Sequence, residues 1–228
     1  MRSLLFTLVL LIATNAFAAR PFVTDDARLT TAGSCQLETW VRHHDSSNEF
    51  WALPACNFTG NLELTVGGAR TKTISGIDTD DYVLQAKTLF RELTTNDYGF
   101  ALGTISHPST FAGPNLMGNT YAYIPFSFST LNDRFIYHTN VGWLRDKLTL
   151  ENRMTYGIGA EIRSTDRLLL IAETYGDNKA SPYLQAGGRY SVIPNLFQID
   201  TTVGQQFNGV SSTRWISFGL RFTPNSIF

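Results

Sequence analysis

His107-Pro108-Ser109 sets an imidazole two residues from a hydroxyl, the pair of groups from which a nucleophilic hydrolase is built. The proline between them and the lack of any surrounding pattern leave that signal weak. His138 and Asn140 fall on one face of an alternating stretch, a spacing that could orient an imidazole; a hydrogen-bonded histidine in a polar interior is the plainer reading. His43-His44-Asp45 could offer ligands to a metal, but in a turn ordinary solvation accounts for it. Gly67-Gly68 and Gly187-Gly188 match no phosphate-binding fingerprint. The expectation is therefore no catalytic residue, no cofactor and no metal.

The two cysteines carry a firmer chemical signal. If Trp40 and Trp51 face each other across a hairpin closed by residues 44–49, antiparallel partners have numbers summing to 91, which puts Cys35 opposite Cys56. A cross-strand disulfide follows. An oxidising periplasm suits it, and no CxxC or histidine cluster lies nearby to suggest redox or metal chemistry.

What must position these residues is a series of roughly ten-residue stretches, from Cys35 to Phe222, in which apolar and polar side chains alternate. Ahead of it, Met1-Arg2-Ser3 is a short basic start, Leu4 to Ile12 is apolar apart from Thr7, and Ala16-Phe17-Ala18 offers small residues to a signal peptidase. Residues 1–18 read as a cleaved signal peptide, 19–34 as an N-terminal segment that hangs in the periplasm or enters the lumen, and 35–228 as a barrel. The apolar run is shorter than the ~20 residues of a spanning helix, and no cysteine follows the cleavage site to carry a lipid anchor. A hydrophobic fraction of 43% with mean hydropathy −0.08 is too polar for a helical membrane protein, yet a barrel needs only every second strand residue to be apolar. With 18 Lys and Arg against 19 Asp and Glu there is no basic excess, which argues against a nucleic-acid partner.

The alternation marks about twelve strands, near 35–43, 50–58, 61–70, 80–91, 97–106, 120–129, 134–144, 149–163, 166–175, 181–191, 196–206 and 213–222. The fold class expected is all-β, an antiparallel transmembrane β-barrel rather than a soluble sandwich. An even strand number leaves both ends of the barrel on the periplasmic side. The connections at 71–79, 107–119 and 176–180 then face outward, with Arg145-Asp146-Lys147 oddly short among them, while Thr59-Gly60, Asn132-Asp133 and Pro194-Asn195 turn in the periplasm. Gly113-Pro114 makes 107–119 the candidate for an extracellular or infolded loop. Parity sends Met154, Tyr156, Ile158, Ala160 and Ile162, and Ile216, Phe218, Leu220 and Phe222, to lipid. Pro54 and Pro125, which lack a ladder donor, suggest bulges or strand ends.

The same parity points Glu38, Arg42, Glu63, Lys87, Arg91, Glu161, Arg163, Glu173, Arg189, Asp200 and Arg221 into the lumen, as a paired network or as the lining of a solute path. Glycines such as Gly157, Gly159 and Gly219 would leave room beside those charges. Trp40 and Trp51 point with the polar set and would stack inside, whereas Tyr98, Tyr121, Trp143, Tyr175 and Trp215 are expected at the membrane interfaces. Asp25 and Asp26 in the N-terminal segment could offset a slight basic excess of the lumen, which makes them plug candidates; a tail in the periplasm is the alternative.

The segment Arg20-Pro21-Phe22-Val23-Thr24-Asp25-Asp26-Ala27, with Gly33, Cys35-Gln36-Leu37-Glu38 and Leu62-Glu63-Leu64-Thr65-Val66-Gly67-Gly68, resembles the bacterial family named for the MetA-pathway of phenol degradation. The resemblance covers most of the mature chain and is sharpest in its first third. It implies a transporter-like or porin-like protein of a Gram-negative outer membrane, for small, hydrophobic or aromatic molecules, with outer-membrane lipid and the barrel assembly machinery as partners. It brings no catalytic motif. One feature departs from such barrels: Phe222 closes the last strand, but Thr223 to Phe228 follow it. The rival expectations are a structural envelope barrel with a sealed lumen and, behind it, a membrane-embedded hydrolase, for which a Ser-His hydrogen bond at the lipid boundary would speak.

Overall fold

The computed structural model describes residues 22–108, 117–225 and 227–228. The signal peptide reading, Ser109 and Gly113-Pro114 lie outside the described residues.

Alternation of polarity becomes twelve strands: β1 Ser34–His44, β2 Ser47–Asn57, β3 Leu62–Thr73, β4 Thr79–Arg91, β5 Tyr98–His107, β6 Asn119–Thr130, β7 Phe135–Arg145, β8 Asn152–Arg163, β9 Leu168–Asp177, β10 Tyr183–Ile193, β11 Phe197–Gln206 and β12 Trp215–Phe222. Each pairs antiparallel with its neighbours in sequence. The sheet closes where β1 meets β12, in a ladder running from Leu37 opposite Phe222 to His44 opposite Trp215. Closure leaves no strand edge unpaired, the condition for standing in lipid. The polarity is inside out. Ile158, Phe218 and Val141 lie more than half exposed on the outer face, while His138, Ser127 and Ser217 are buried within.

The β1–β2 register pairs Trp40 with Trp51 and Cys35 with Cys56, which are joined by a disulfide. The hairpin itself is tighter than residues 44–49: Asp45-Ser46 turns the chain, and His43 and His44 belong to β1, bonded to Asn48 (2.7 Å) and Glu49 (3.1 Å). At the same end, β7 and β8 are joined by residues 146–151, so the turn at Arg145-Asp146-Lys147 is not short. The opposite end carries the start of β1, the C-terminus and the turns 58–61, 92–97, 131–134, 164–167 and 194–196, in which Asn132, Asn195 and Gly60 take the left-handed conformation that suits them. Past Phe222 the tail folds back on this C-terminal end: the Ile227 and Phe228 amides donate to the Gly33 carbonyl, and Phe228 stacks on Phe58.

Three further expectations are corrected. Arg91 does not reach the lumen, because a bulge between Leu89 and Arg91 shifts the register and turns it outward opposite Phe100. There it stacks on Tyr98 and holds Asp97 at 2.7 Å, a hydrogen bond that keeps the Asp97 carboxyl below its ordinary range. Pro54 and Pro125 sit within strands at unshifted register; each interrupts a stretch of one neighbouring ladder, since proline removes a rung on one side. Finally, Tyr121, Tyr175 and Trp215 face inward with Tyr123, Glu173 and Ser217. Parity, rather than nearness to a strand end, decides the face. Tyr98 and Trp143 do point outward, where Tyr98 stacks on Phe126, Phe90 on Phe100, and Phe128 on Tyr137.

Candidate functional site

Most inward charges meet an opposite charge across a ladder. Glu38 stands opposite Arg221, Arg42 opposite Glu49, Glu63 opposite Lys87 and Arg189 opposite Asp200. Cross-strand neighbours of opposite sign are the arrangement in which buried charge is tolerated. Three expected lumenal groups depart from it. Glu161 and Glu173 serve the N-terminal segment, and Arg163 stands opposite Leu169.

Residues 22–32 run through the lumen without joining the sheet, so their backbone donors need side-chain partners, and the inner wall supplies them. The amides of Val23 and Thr24 donate to the two oxygens of Glu173, at 2.8 and 2.7 Å. Asn140 accepts from the Asp25 amide and donates to the Asp25 carbonyl, at 2.8 and 2.7 Å. The Ala27 amide donates to Ser127 Oγ (2.9 Å), the Thr30 amide to Glu63 (2.7 Å), and Asn57 Nδ2 to the Thr30 carbonyl (2.7 Å). Side chains complete the attachment. Lys87 Nζ lies 2.8 Å from Asp25 and 3.7 Å from Asp26, Tyr123 donates to Asp25 at 2.6 Å, and Arg28 lies 3.3 Å from both Asp26 and Glu161. Gly157 and Gly159 make the passage wide enough: a Cβ at the first would stand 2.5 Å from Thr24 Oγ1, and at the second 2.8 Å from the Phe22 ring.

Beneath this segment, Ser127 Oγ and His138 Nδ1 are 2.8 Å apart, and His138 Nε2 is 3.6 Å from Glu161. These are the residue types of a nucleophilic triad. The serine and histidine are wholly buried inside the barrel rather than at the lipid boundary, and Ser127 already accepts from Ala27. In this arrangement the group anchors the segment. His107, the other histidine considered for catalysis, bonds Asp81 at 3.0 Å near the rim.

On the side away from the C-terminal end, the segment forms the floor of a cup of about 550 Å³. Phe22 to Asp25 and Lys87 lie at its base. Its wall carries Trp40 stacked on Trp51 (5.1 Å, 4° between planes) and Tyr175 stacked on Tyr183 (5.5 Å, 15°), with Tyr121 and Tyr123 also lining it. The charges around it are engaged: Arg42 with Glu49 at 3.6 Å, Asp177 with Arg153 at 3.3 Å, Lys87 with Asp25. What the cup offers a ligand is therefore chiefly flat aromatic surface. A smaller cavity of about 200 Å³ opens at the C-terminal end, lined by Arg163, Arg167 and Arg189 among others.

Sequence reasoning did not single out Ser127, Asn140, Tyr123 or Asn57 as holders of the segment. Of these only Asn140 is given a strand face by the sequence, and nothing local names a partner 27 to 115 residues away in an irregular stretch.

The family described as uncharacterised conserved protein UCP029691 matches residues 7–223. No curated protein matches the chain. Among solved structures, a KdgM porin superposes with a TM-score of 0.63 at 10% identity, covering 82% of this chain and 98% of that one. A NanC porin gives 0.59 at 9% identity, covering 82% and 97%. A second KdgM porin structure, described as in complex with disordered oligogalacturonate, gives 0.62 at 10% identity, covering 82% and 98%. At such identities the likeness is one of fold.

Proposed function

Starting from a chain that belongs to this uncharacterised family, we propose that it is a porin-like outer-membrane barrel that binds and passes small molecules. The C-terminal end faces the periplasm and the aromatic cup faces outward. The observation that carries the reading is the cup itself, open away from the C-terminal end and floored by a segment that is not part of the sheet. A solute entering it would touch the Trp40–Trp51 and Tyr175–Tyr183 faces and the N-terminal segment together. The solutes proposed are small hydrophobic or aromatic molecules, in keeping with the wall and with the resemblance to the MetA-pathway family. Residues 22–32 close the path as a plug, with Asp25 and Asp26 as its charged contacts. Lipid and the assembly machinery are the partners such a barrel requires, and the leader supplies export.

The test is liposome swelling and single-channel conductance of the refolded protein, with and without residues 20–29. The deletion should raise small-solute permeability while circular dichroism stays unchanged. A second reading, a structural barrel with a sealed lumen, is favoured by the density of bonds to the segment. It would be preferred if a correctly folded deletion conducted no better and if the tryptophan fluorescence of the full chain answered to no uncharged aromatic solute.

A further inference from the structure

The cavity at the C-terminal end differs from the cup in kind. It is bounded by β8 through Glu161 and Arg163, by the turn to β9 with Asp166 and Arg167, and by β10 through Arg189. Register fixes its basic wall. Arg163 in β8 and Arg189 in β10 both stand opposite Leu169 of the strand between them, and all three share the inner face. Two strand spacings, about 10 Å, separate the two backbones. Arg167 approaches from the rim.

The acids nearby leave this wall basic. Glu161 is drawn to Arg28 and His138. Asp200 meets Arg189 across the ladder, and Asp166 lines the cavity from the exposed turn, which leaves Arg163 and Arg167 as the wall's further cations. Arg163 is the telling residue. Other inward charges meet an opposite charge in register, bind the plug or, like Arg153 with Asp177, pair off-register; Arg163 faces leucine, and no ion pair to its side chain occurs among the described residues. A guanidinium is always charged and its planar fork fits two oxygens at once. We infer that this cavity is a binding site for a small molecule bearing a phosphate or carboxylate group, held by Arg163 with Arg167 at the entrance. Ser191, Asn195 and Gln198 supply neutral hydrogen-bonding groups around it. The site stands on its own geometry and does not depend on whether the aromatic cup conducts.

Inorganic phosphate is the probe. The full chain, refolded into phosphatidylcholine nanodiscs, is titrated calorimetrically in low-salt buffer. The expected result is saturable binding, weakened when sodium chloride is added and weakened about tenfold or more in Arg163→Gln, in line with the loss of a charged hydrogen bond. Arg167→Gln should weaken it in the same direction, whereas Arg70→Gln, at the far end of the barrel, should leave it unchanged. Circular dichroism and the thermal midpoint establish that each variant is folded. Absence of saturable binding to the wild-type protein, or binding that a folded Arg163→Gln retains in full, overturns the assignment. Repeating the titration with phosphatidylglycerol in the nanodisc identifies the source of the group: competition by the lipid points to a headgroup, and unaltered binding points to a soluble solute.

Discussion

Replacing Lys87 by methionine should unseat the N-terminal segment while leaving the barrel standing. Lys87 is 3% exposed, and its ammonium lies 2.8 Å from Asp25 and 3.7 Å from Asp26, whose side chains are 12% and 2% exposed. Glu63 sits opposite it in the ladder. Without the lysine, three carboxylates share a buried site, with Arg28 and Arg221 as the cations that remain near them. Removing one partner of a buried charge cluster typically costs about 3–5 kcal/mol, and the burial here is deep enough that solvent screening takes little from that figure. The barrel need not bear this cost. Asp25 and Asp26 belong to a segment outside the sheet, and its withdrawal returns both carboxylates to water. At about 1.4 kcal/mol per factor of ten, the docked fraction falls relative to the undocked by roughly two to four orders of magnitude.

Trypsin reads the outcome directly, because Arg28 lies within the segment and is shielded while it stays docked. The folded Lys87→Met protein should be cut after Arg28 and should admit small solutes in liposome swelling as well as the 20–29 deletion does. Adding Asp25→Asn and Asp26→Asn to the same background removes the stranded charges and should restore much of the protection. If folded Lys87→Met keeps Arg28 protected and its permeability unchanged, the charge cluster does not hold the plug and the reasoning fails.

The outer face gives a second prediction: Phe218→Arg, on a side chain 61% exposed, should destabilise the barrel in bilayers by about 2–4 kcal/mol, and a silent substitution would show that this face does not meet lipid. Unfolded, unreduced protein from the periplasmic pathway should show no reactive thiol; reduction of Cys35–Cys56, 21 residues apart, should lower the thermal midpoint, with a chain-entropy contribution of roughly 3 kcal/mol. Gly157→Leu puts a side chain where Thr24 lies, an overpacking worth about 1–3 kcal/mol that should expose Arg28 to trypsin without changing strand content, and full protection in that variant would contradict the placement of Thr24.

The sequence spoke clearly wherever a period of two governs. Partners summing to 91 along β1 and β2, the outer face of β8 and β12, and the twelve-strand closure all follow from alternation, because one residue of slip would turn every side chain to the wrong solvent. It was silent where the chain leaves that period. The Leu89–Arg91 bulge inverts one arginine, and no side chain announces it. Strand ends were blurred by the polar hairpin residues, so Asp45-Ser46 and 146–151 differ from the turns expected there.

The N-terminal segment and the C-terminal cavity show why register has to be known before lumenal charge can be interpreted. Along the chain, Lys87, Glu173, Glu161 and Arg163 are four similar inward charges. Across the ladders they take different roles. Lys87 has its acid opposite at Glu63 and still reaches Asp25, Glu173 gives its two oxygens to the amides of Val23 and Thr24, and Glu161 turns to Arg28. These contacts join residues 62 to 150 apart, through a segment with no periodicity of its own. Arg163 stands out only against that background: it is half-buried, faces leucine in the ladder and has no ion pair among the described residues. Only a wall whose charges are mostly balanced internally lets a single unbalanced cation be read as a candidate for binding an anion.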